Sequence, residues 1–207
     1  MIYIIMADGL GKRWKNFKGT PKHLIKFNGI TLLERTTSIL RKIDPDAKVI
    51  ITTHNKAYET PGATLYEPLH NKIEIDRFTE ELVEDNICFL YGDTFYTHAS
   101  LEKIVKSDVE DVLFFGNKQS IVAVKIKNSE VFKYHFNRVR NLFLNGEIEQ
   151  CIGWQIYLSF CDLPLDEKRI DKKYVLFDDI TKDFNTPEDI VNFYENYFKE
   201  KALEIKD

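Results

Sequence analysis

Long apolar runs are missing from this chain of 207 residues. The longest span only a few positions, far short of the roughly 20 a membrane helix needs, so no membrane partner is expected. Met1 leads straight into an apolar stretch with no charged segment before it, which argues against a secretory leader. Cysteine is scarce: Cys88, Cys151 and Cys161 are odd in number and form no C-x-x-C pair. That excludes a structural zinc site of ordinary spacing and points to reduced thiols and a cytoplasmic protein. A positive field is absent too. Lys and Arg number 29 against 33 Asp and Glu, a formal charge of −4, so nucleic acid is not an expected partner and any polyanion must be held by a local cluster. There is no internal repeat, low-complexity segment or evident linker, and residues 1–207 read as a single domain large enough for a real core.

What is present is an alternation of two periodicities. Ile2–Met6 and Lys48–Thr53 are short continuous apolar runs of the kind buried parallel strands show, with Thr64–Pro68 as a shorter third. Thr31–Ile43 carries leucine and isoleucine at helical spacing, with Thr31 as N-cap and Glu34 in capping-box position. Ile73–Asp85 reads as an amphipathic helix, Asn86–Asp93 as a strand ending in an acid, and His98–Ser107 as a helix. Asp111–Gly116 and Ser120–Lys127 read as a strand pair, Ser129–Phe143 and Gly146–Phe160 as helices, and Lys172–Asp179 as a last strand. Pro187 opens a terminal helix behind Thr186 as cap. This order predicts an α/β fold, a three-layer sandwich around a mostly parallel, Rossmann-like mixed sheet.

Ligands of such sheets bind beyond the carboxyl ends of the strands, so the strand tips are where chemistry is sought. The first tip, "ADGLGKR", combines Gly9 and Gly11, which let main-chain N–H groups approach a ligand, with the charges of Lys12 and Arg13. That suits phosphate, although it is neither a Walker loop nor the dinucleotide fingerprint. Lys22 follows in "GTPKHL". The tips "YGDTFYT" and "DDITKDFNTPED" each offer a carboxylate, Asp93 and Asp183, and a hard divalent cation takes one or two carboxylates together with substrate phosphates. Each feature has a plain alternative as a turn residue. Asn71 and Arg77 lie in a segment expected to open toward the same cleft, and His54 reads as structural or solvent-facing. The aromatic run Phe132–Tyr134–Phe136 and Trp154 read as core or interface.

The stretch from Met6 to Leu40, with Ala7, Gly9, Gly11, Arg13, Pro21, Lys22 and then "NGITLLER", resembles the N-terminal signature of nucleotidyltransferases with a glycosyltransferase-A-like fold. "LYGD" and "DFNTPEDI" resemble that family's two metal-binding segments, in the expected order across nearly the whole chain, while roughly residues 120–173 match nothing in it. The resemblance implies attack by a phosphate oxygen of a small metabolite or sugar phosphate on the α-phosphorus of a nucleoside triphosphate, releasing pyrophosphate. It implies Mg2+ on Asp93 and Asp183, catalytic roles for Arg13 and Lys22, and a nucleotide site of Ala7, Asp8, Gly9, Leu10, Gly11, Lys12, Asn71 and Asp93. The partners are then a nucleoside triphosphate and a phosphorylated acceptor, with a homodimer as the self-association considered.

Asp8 departs from the pattern, which has a small residue there. It would point at a base amino group, at a metal, or away from the phosphates. A cytidylyltransferase is favoured, helped by the compact chain and by Asp8. Guanylyl or uridylyl transfer to a sugar 1-phosphate is the alternative. A nucleotide-sugar glycosyltransferase would carry D-x-D at the metal strand, where this chain has Asp93, Thr94 and Phe95. A catalytically silent binding relative would be expected to have lost one of Arg13, Lys22, Asp93 and Asp183.

Overall fold

The computed structural model describes residues 1–9, 11–15 and 17–204, without the side chains beyond residue 197. Leu10, one of the expected nucleotide-site residues, lies outside the described residues.

The chain alternates as the periodicities predict. In order it forms β1 (Ile2–Met6), β2 (Lys26–Phe27), β3 (Ile30–Thr31), α1 (Leu32–Ile43), β4 (Lys48–Thr52) and β5 (Thr64–Tyr66). Then come β6 (Ile87–Tyr91), β7 (Thr94–Phe95), α2 (His98–Lys106), β8 (Val112–Gly116) and β9 (Ile121–Ile126). α3 (Ser129–Leu144), α4 (Gly153–Phe160), β10 (Tyr174–Leu176), β11 (Lys182–Asp183) and α5 (Pro187–Glu204) complete it. Seven strands make the main sheet in the order β10-β8-β9-β6-β1-β4-β5. β1 pairs in parallel with β4 and β6, β4 with β5, and β10 with β8; only β9 runs antiparallel to its neighbours.

Because successive strand residues face opposite sides, the apolar runs supply two cores at once. Ile4, Met6, Ile87 and Phe89 join Phe132, Phe136, Ile156 and Leu158 on the α3/α4 side. Tyr3, Ile5, Cys88 and Leu90 join Leu33, Leu40, Leu101 and Ile104 on the α1/α2 side. All three cysteines are buried and free. No helix among the described residues is long and apolar enough to cross a membrane. The capping box of α1 forms as read: the Glu34 N–H donates to Thr31 Oγ1 at 3.1 Å and the Thr31 N–H to Glu34 Oε2 at 2.8 Å.

Two expected helices are corrected. Ile73–Asp85 is not one amphipathic helix but two short 3-10 turns, Glu74–Phe78 and Glu80–Leu82, separated by Thr79 at φ 42°. The Asp76 carboxylate takes the N–H groups of Lys72 and Ile73 at 2.9 and 3.1 Å and so opens the first turn, and the left-handed conformation of Thr79 ends it before a regular helix can form. Helix also fails from Gly146 to Ile152, and α4 starts only at Gly153. Gly146 adopts φ 75° and ends α3 instead, with its N–H on Phe143 O at 3.0 Å and the Glu147 N–H on Leu142 O at 2.9 Å, the double bond of a Schellman motif.

A third apolar cluster lies outside the main sheet and organises the strand tips. Trp14, Phe27, Leu32, Phe95, Phe184, Ile190 and Phe193 pack together under α5. Phe27 is at its centre, with ring centroids 5.0 Å from Phe95, 5.8 Å from Phe184 and 5.5 Å from Phe193. β7 and β11 form a small antiparallel ribbon in which Asp183 pairs with Thr94.

Candidate active site

Three of the four charged candidates lie within two positions of an aromatic anchor in that third cluster. Arg13 precedes Trp14, Asp183 precedes Phe184, and Asp93 lies two positions before Phe95. Burying the anchors draws three segments that are distant in sequence to one end of the sheet. The Phe184 N–H donates to the Asp93 carbonyl at 2.9 Å, tying the two acid-bearing segments together directly. Gly92, just before Asp93, is required by close packing: a Cβ there would stand 2.8 Å from the Met6 carbonyl.

Asp93 is buried and ion-paired with the equally buried Lys22. Burial pushes its carboxyl up, but Lys22, with help from Arg77, outweighs this and holds it below the usual carboxylate range. Behind the pair, His23 hydrogen-bonds the Tyr58 hydroxyl at 3.1 Å, and burial drives its imidazole down to about 3, so it is neutral. Asp183 is half-buried. Its Oδ1 accepts from Ser120 Oγ at 2.7 Å and its Oδ2 from Asn185 Nδ2 at 2.5 Å. Asn185 Oδ1 in turn accepts from Arg13 Nη2 at 2.8 Å, so Arg13, Asn185 and Asp183 form one connected line.

Of these groups Arg13, Lys22 and Asn185 line a cavity of about 340 Å3, together with Lys12, Lys72 and Arg77; Glu74 is its only carboxylate among the described residues, and Asp93 and Asp183 stand behind Lys22 and Asn185 rather than in its lining. A smaller space of about 240 Å3 shares Gly11 and Lys22 with it and reaches Gly9, His23 and Tyr58. The main-chain N–H groups of Asp8, Gly9, Gly11, Lys12 and Arg13 have no acceptor among the described residues. Five cations around a loop whose N–H donors have no acceptor among the described residues are suited to a polyphosphate.

Arg77, missed as a firm site residue, lies on this loop. A Cβ on Gly9 would stand 3.3 Å from its guanidinium carbon, so Gly9 makes room for a cation. Asn185 was missed as well; the tight turn into α5 holds it, with its N–H on Asp189 Oδ2 at 2.9 Å. Ala7 is buried at the end of β1 and bonds across to Thr52 O at 3.1 Å, so its own N–H is spent on the sheet. Asp8 turns toward the tip of β4, where its carboxylate accepts the His54 N–H, the His54 ring nitrogen and Asn71. Most of what the Asp8 carboxylate can accept is thereby taken up within the protein, and His54, exposed as expected of a structural or solvent-facing residue, is its partner. Trp154 is half-buried on a separate groove of about 630 Å3 and donates to Glu167 O at 3.1 Å.

Asp93 and Asp183 are hard oxygen donors on adjoining segments. Among the described residues no third acidic, histidine or cysteine ligand joins them. A divalent ion needs more oxygens than these two carboxylates supply, and nucleotide phosphates in the cationic cavity would complete the set. The residues fit a metal that arrives with its nucleotide.

No protein-family model and no curated protein matches the chain. Solved structures do. A Bacillus anthracis protein provisionally described as a glucose-1-phosphate thymidylyltransferase aligns over 93% of this chain and 94% of its own, with 14% identity and a TM-score of 0.61. The CTP:phosphocholine cytidylyltransferase of Streptococcus pneumoniae aligns over 95% and 99%, with 14% identity and a TM-score of 0.56. Rv0371c of Mycobacterium tuberculosis, in complex with manganese, aligns over 94% and 97%, with 15% identity and a TM-score of 0.57. At this identity the likeness is one of fold: a mostly parallel mixed sheet flanked by helices, shared with nucleotidylyltransferases that differ in their bases.

Proposed function

We propose that this chain, which has the nucleotidylyltransferase fold, transfers a nucleoside monophosphate from a nucleoside triphosphate to a phosphorylated small metabolite or sugar phosphate. The observation that carries the reading is the cationic cavity that Arg13, Lys22 and Asn185 line, with Asp93 paired to Lys22 and Asp183 bonded to Asn185. CTP is the favoured nucleotide and Mg2+ the favoured ion. The acceptor's phosphate oxygen is already anionic, so no protein nucleophile is needed. It forms the new bond to the α-phosphorus while the bond to the bridging oxygen breaks and pyrophosphate leaves. The task left to the protein is to hold two polyanions together and to offset charge that grows in the transition state.

Arg13, whose planar fork matches phosphate oxygens, binds the departing pyrophosphate, with Asn185 fixing its direction. Lys22 exchanges its bond to Asp93 for one to the α-phosphate, which frees the carboxylate at the moment phosphate arrives. Asp93 and Asp183 would hold the divalent ion, whose chemistry is to neutralise phosphate charge and orient the two reacting oxygens. Lys12, Lys72 and Arg77 take the rest of the triphosphate. A nucleotide-sugar glycosyltransferase is disfavoured, because the position that D-x-D would fill is Phe95, fully buried in the aromatic cluster.

The test is a pyrophosphate-release screen crossing the four ribonucleotides with phosphorylated metabolites in Mg2+. Asp183→Asn should lower turnover by about 10²-fold or more with an unchanged melting temperature. Asp93→Asn should do the same and also melt earlier, because Lys22 stays buried without its counter-charge. Full activity in both variants would remove the metal assignment. No pyrophosphate from any pairing would remove the reaction.

A further inference from the structure

Half of the residues that line the cationic cavity come from one short stretch: Asn71, Lys72, Ile73, Glu74 and Arg77. The regular part of that stretch is a single 3-10 turn, which gives few main-chain bonds to fix its two cations, Lys72 and Arg77. Asp76 supplies what the turn lacks. Its side chain is 1% exposed, and Oδ2 accepts the N–H groups of Lys72 and Ile73 at 2.9 and 3.1 Å. One carboxylate oxygen thus gathers the backbone on which Lys72 stands, and Arg77 follows Asp76 directly. Ile75 and Phe78 on either side are buried in the core, with the Phe78 ring 5.5 Å from that of Phe132 on α3.

The other oxygen of Asp76, Oδ1, is buried without a hydrogen bond among the described residues. Its counter-charge comes from α3. Arg140 Nη2 stands 3.4 Å from it, and Arg140 Nη1 stands 3.4 Å from Glu80 Oε2 on the following turn. A carboxylate shut away from water needs a cation beside it to stay ionised, and an ionised carboxylate holds N–H groups more strongly than a neutral one. We propose that Asp76 and Arg140 are positioning residues that hold Lys72 and Arg77 in the cavity wall for a polyphosphate. Residues 120–173, where the sequence offers no family motif, thereby acquire a role, because α3 braces that wall through Arg140. A pair that merely joined α3 to the two turns would affect stability and leave polyphosphate affinity alone. The proposal rests on the polyphosphate reading of the cavity and deepens it.

Calorimetric binding of inorganic tripolyphosphate to the full chain, without added metal, tests this independently of base, acceptor and turnover. Asp76→Asn should weaken binding about tenfold at a temperature where both proteins are folded, because the amide holds the two N–H groups less firmly and turns an NH2 toward Arg140. Arg140→Gln should act in the same direction, and Arg140→Lys, which keeps the charge, should recover most of the loss. If Asp76→Asn does not fold, the contrast between these two Arg140 variants decides the matter. With Lys72→Ala and Arg77→Ala already in place, Asp76→Asn should cost no further affinity. In the pyrophosphate assay, Asp76→Asn should raise the nucleotide KM about tenfold and leave kcat within about twofold. Undiminished affinity in folded Asp76→Asn and Arg140→Gln, or a loss that persists without Lys72 and Arg77, would overturn the positioning role while leaving the polyphosphate cavity standing. A wild type that does not bind tripolyphosphate would remove the reading of the cavity, and this inference with it.

Discussion

His23 shows how a residue beside the chemistry constrains the protein as a whole. Burial first, with the Lys22 charge adding to it and Asp93 opposing it, keeps its imidazole neutral down to about pH 3, against an ordinary 6.5. The unfolded chain takes up a proton below pH 6.5 that the folded chain refuses, so this contribution to stability is complete above pH 6.5 and is lost as the pH falls toward 3. The slope is about 1.4 kcal/mol per pH unit within that window. Denaturant titrations of wild type and His23→Asn between pH 7 and pH 4 should show a shallower acid slope in the variant; parallel slopes would mean that the folded chain protonates His23 as readily as the unfolded one. Sequence pattern singled out Arg13, Lys22, Asp93 and Asp183 as candidates, because charged residues at strand tips stand out. It could not disclose His23, Asn185 or Arg77 with the same clarity. Their roles come from what packs on them, and a histidine after a lysine or an asparagine in a turn has many ordinary uses.

Elements differ in how far their local chemistry decides them. α1 and α5 carry their own caps, and both form where the caps predict: Thr31 with Glu34, and Thr186 with Asp189, whose N–H donates to Thr186 Oγ1 at 3.3 Å. Local pattern misled where a tertiary contact prevailed, as at Thr79, whose left-handed turn breaks an apparently helical run so that Ile75 and Phe78 both reach the core. α2 is finished from another strand altogether. Lys125 on β9 is buried and donates to the carbonyls of Ile104, Val105 and Ser107 at 3.1, 2.8 and 2.8 Å, covering the open end of the helix with a charge of the right sign. Lys125→Met should lower stability by about 1.5–3 kcal/mol, with faster hydrogen exchange confined to the last turn of α2. An unchanged melting temperature would show that water replaces the lysine there.

At the scale of the whole molecule, the third apolar cluster decides whether the site exists. Phe27 touches Phe95, Phe184 and Phe193, so it joins the segments that bear Asp93 and Asp183 to α5. Phe27→Ala should cost about 3–5 kcal/mol and should lower turnover at temperatures where the protein is still folded, because the two carboxylates lose their common support. Phe27→Leu should recover most of the stability. Turnover that stays at the wild-type level in folded Phe27→Ala would show that the ribbon of β7 and β11 holds the acids unaided. Most strands of the main sheet, the α1 and α5 caps, the buried thiols and the four charged candidates were readable in the sequence, because each depends on spacing over a few residues or on composition; the short strands β2, β3, β7 and β11 and the broken run 73–85 were not. Which tips meet, that Lys22 pairs with Asp93, that Asp8 is spent on His54 and Asn71, and that Arg77 lies on Gly9 were decided only by the tertiary structure. Those contacts join residues dozens of positions apart, brought together by burying aromatic anchors whose partners no local periodicity identifies.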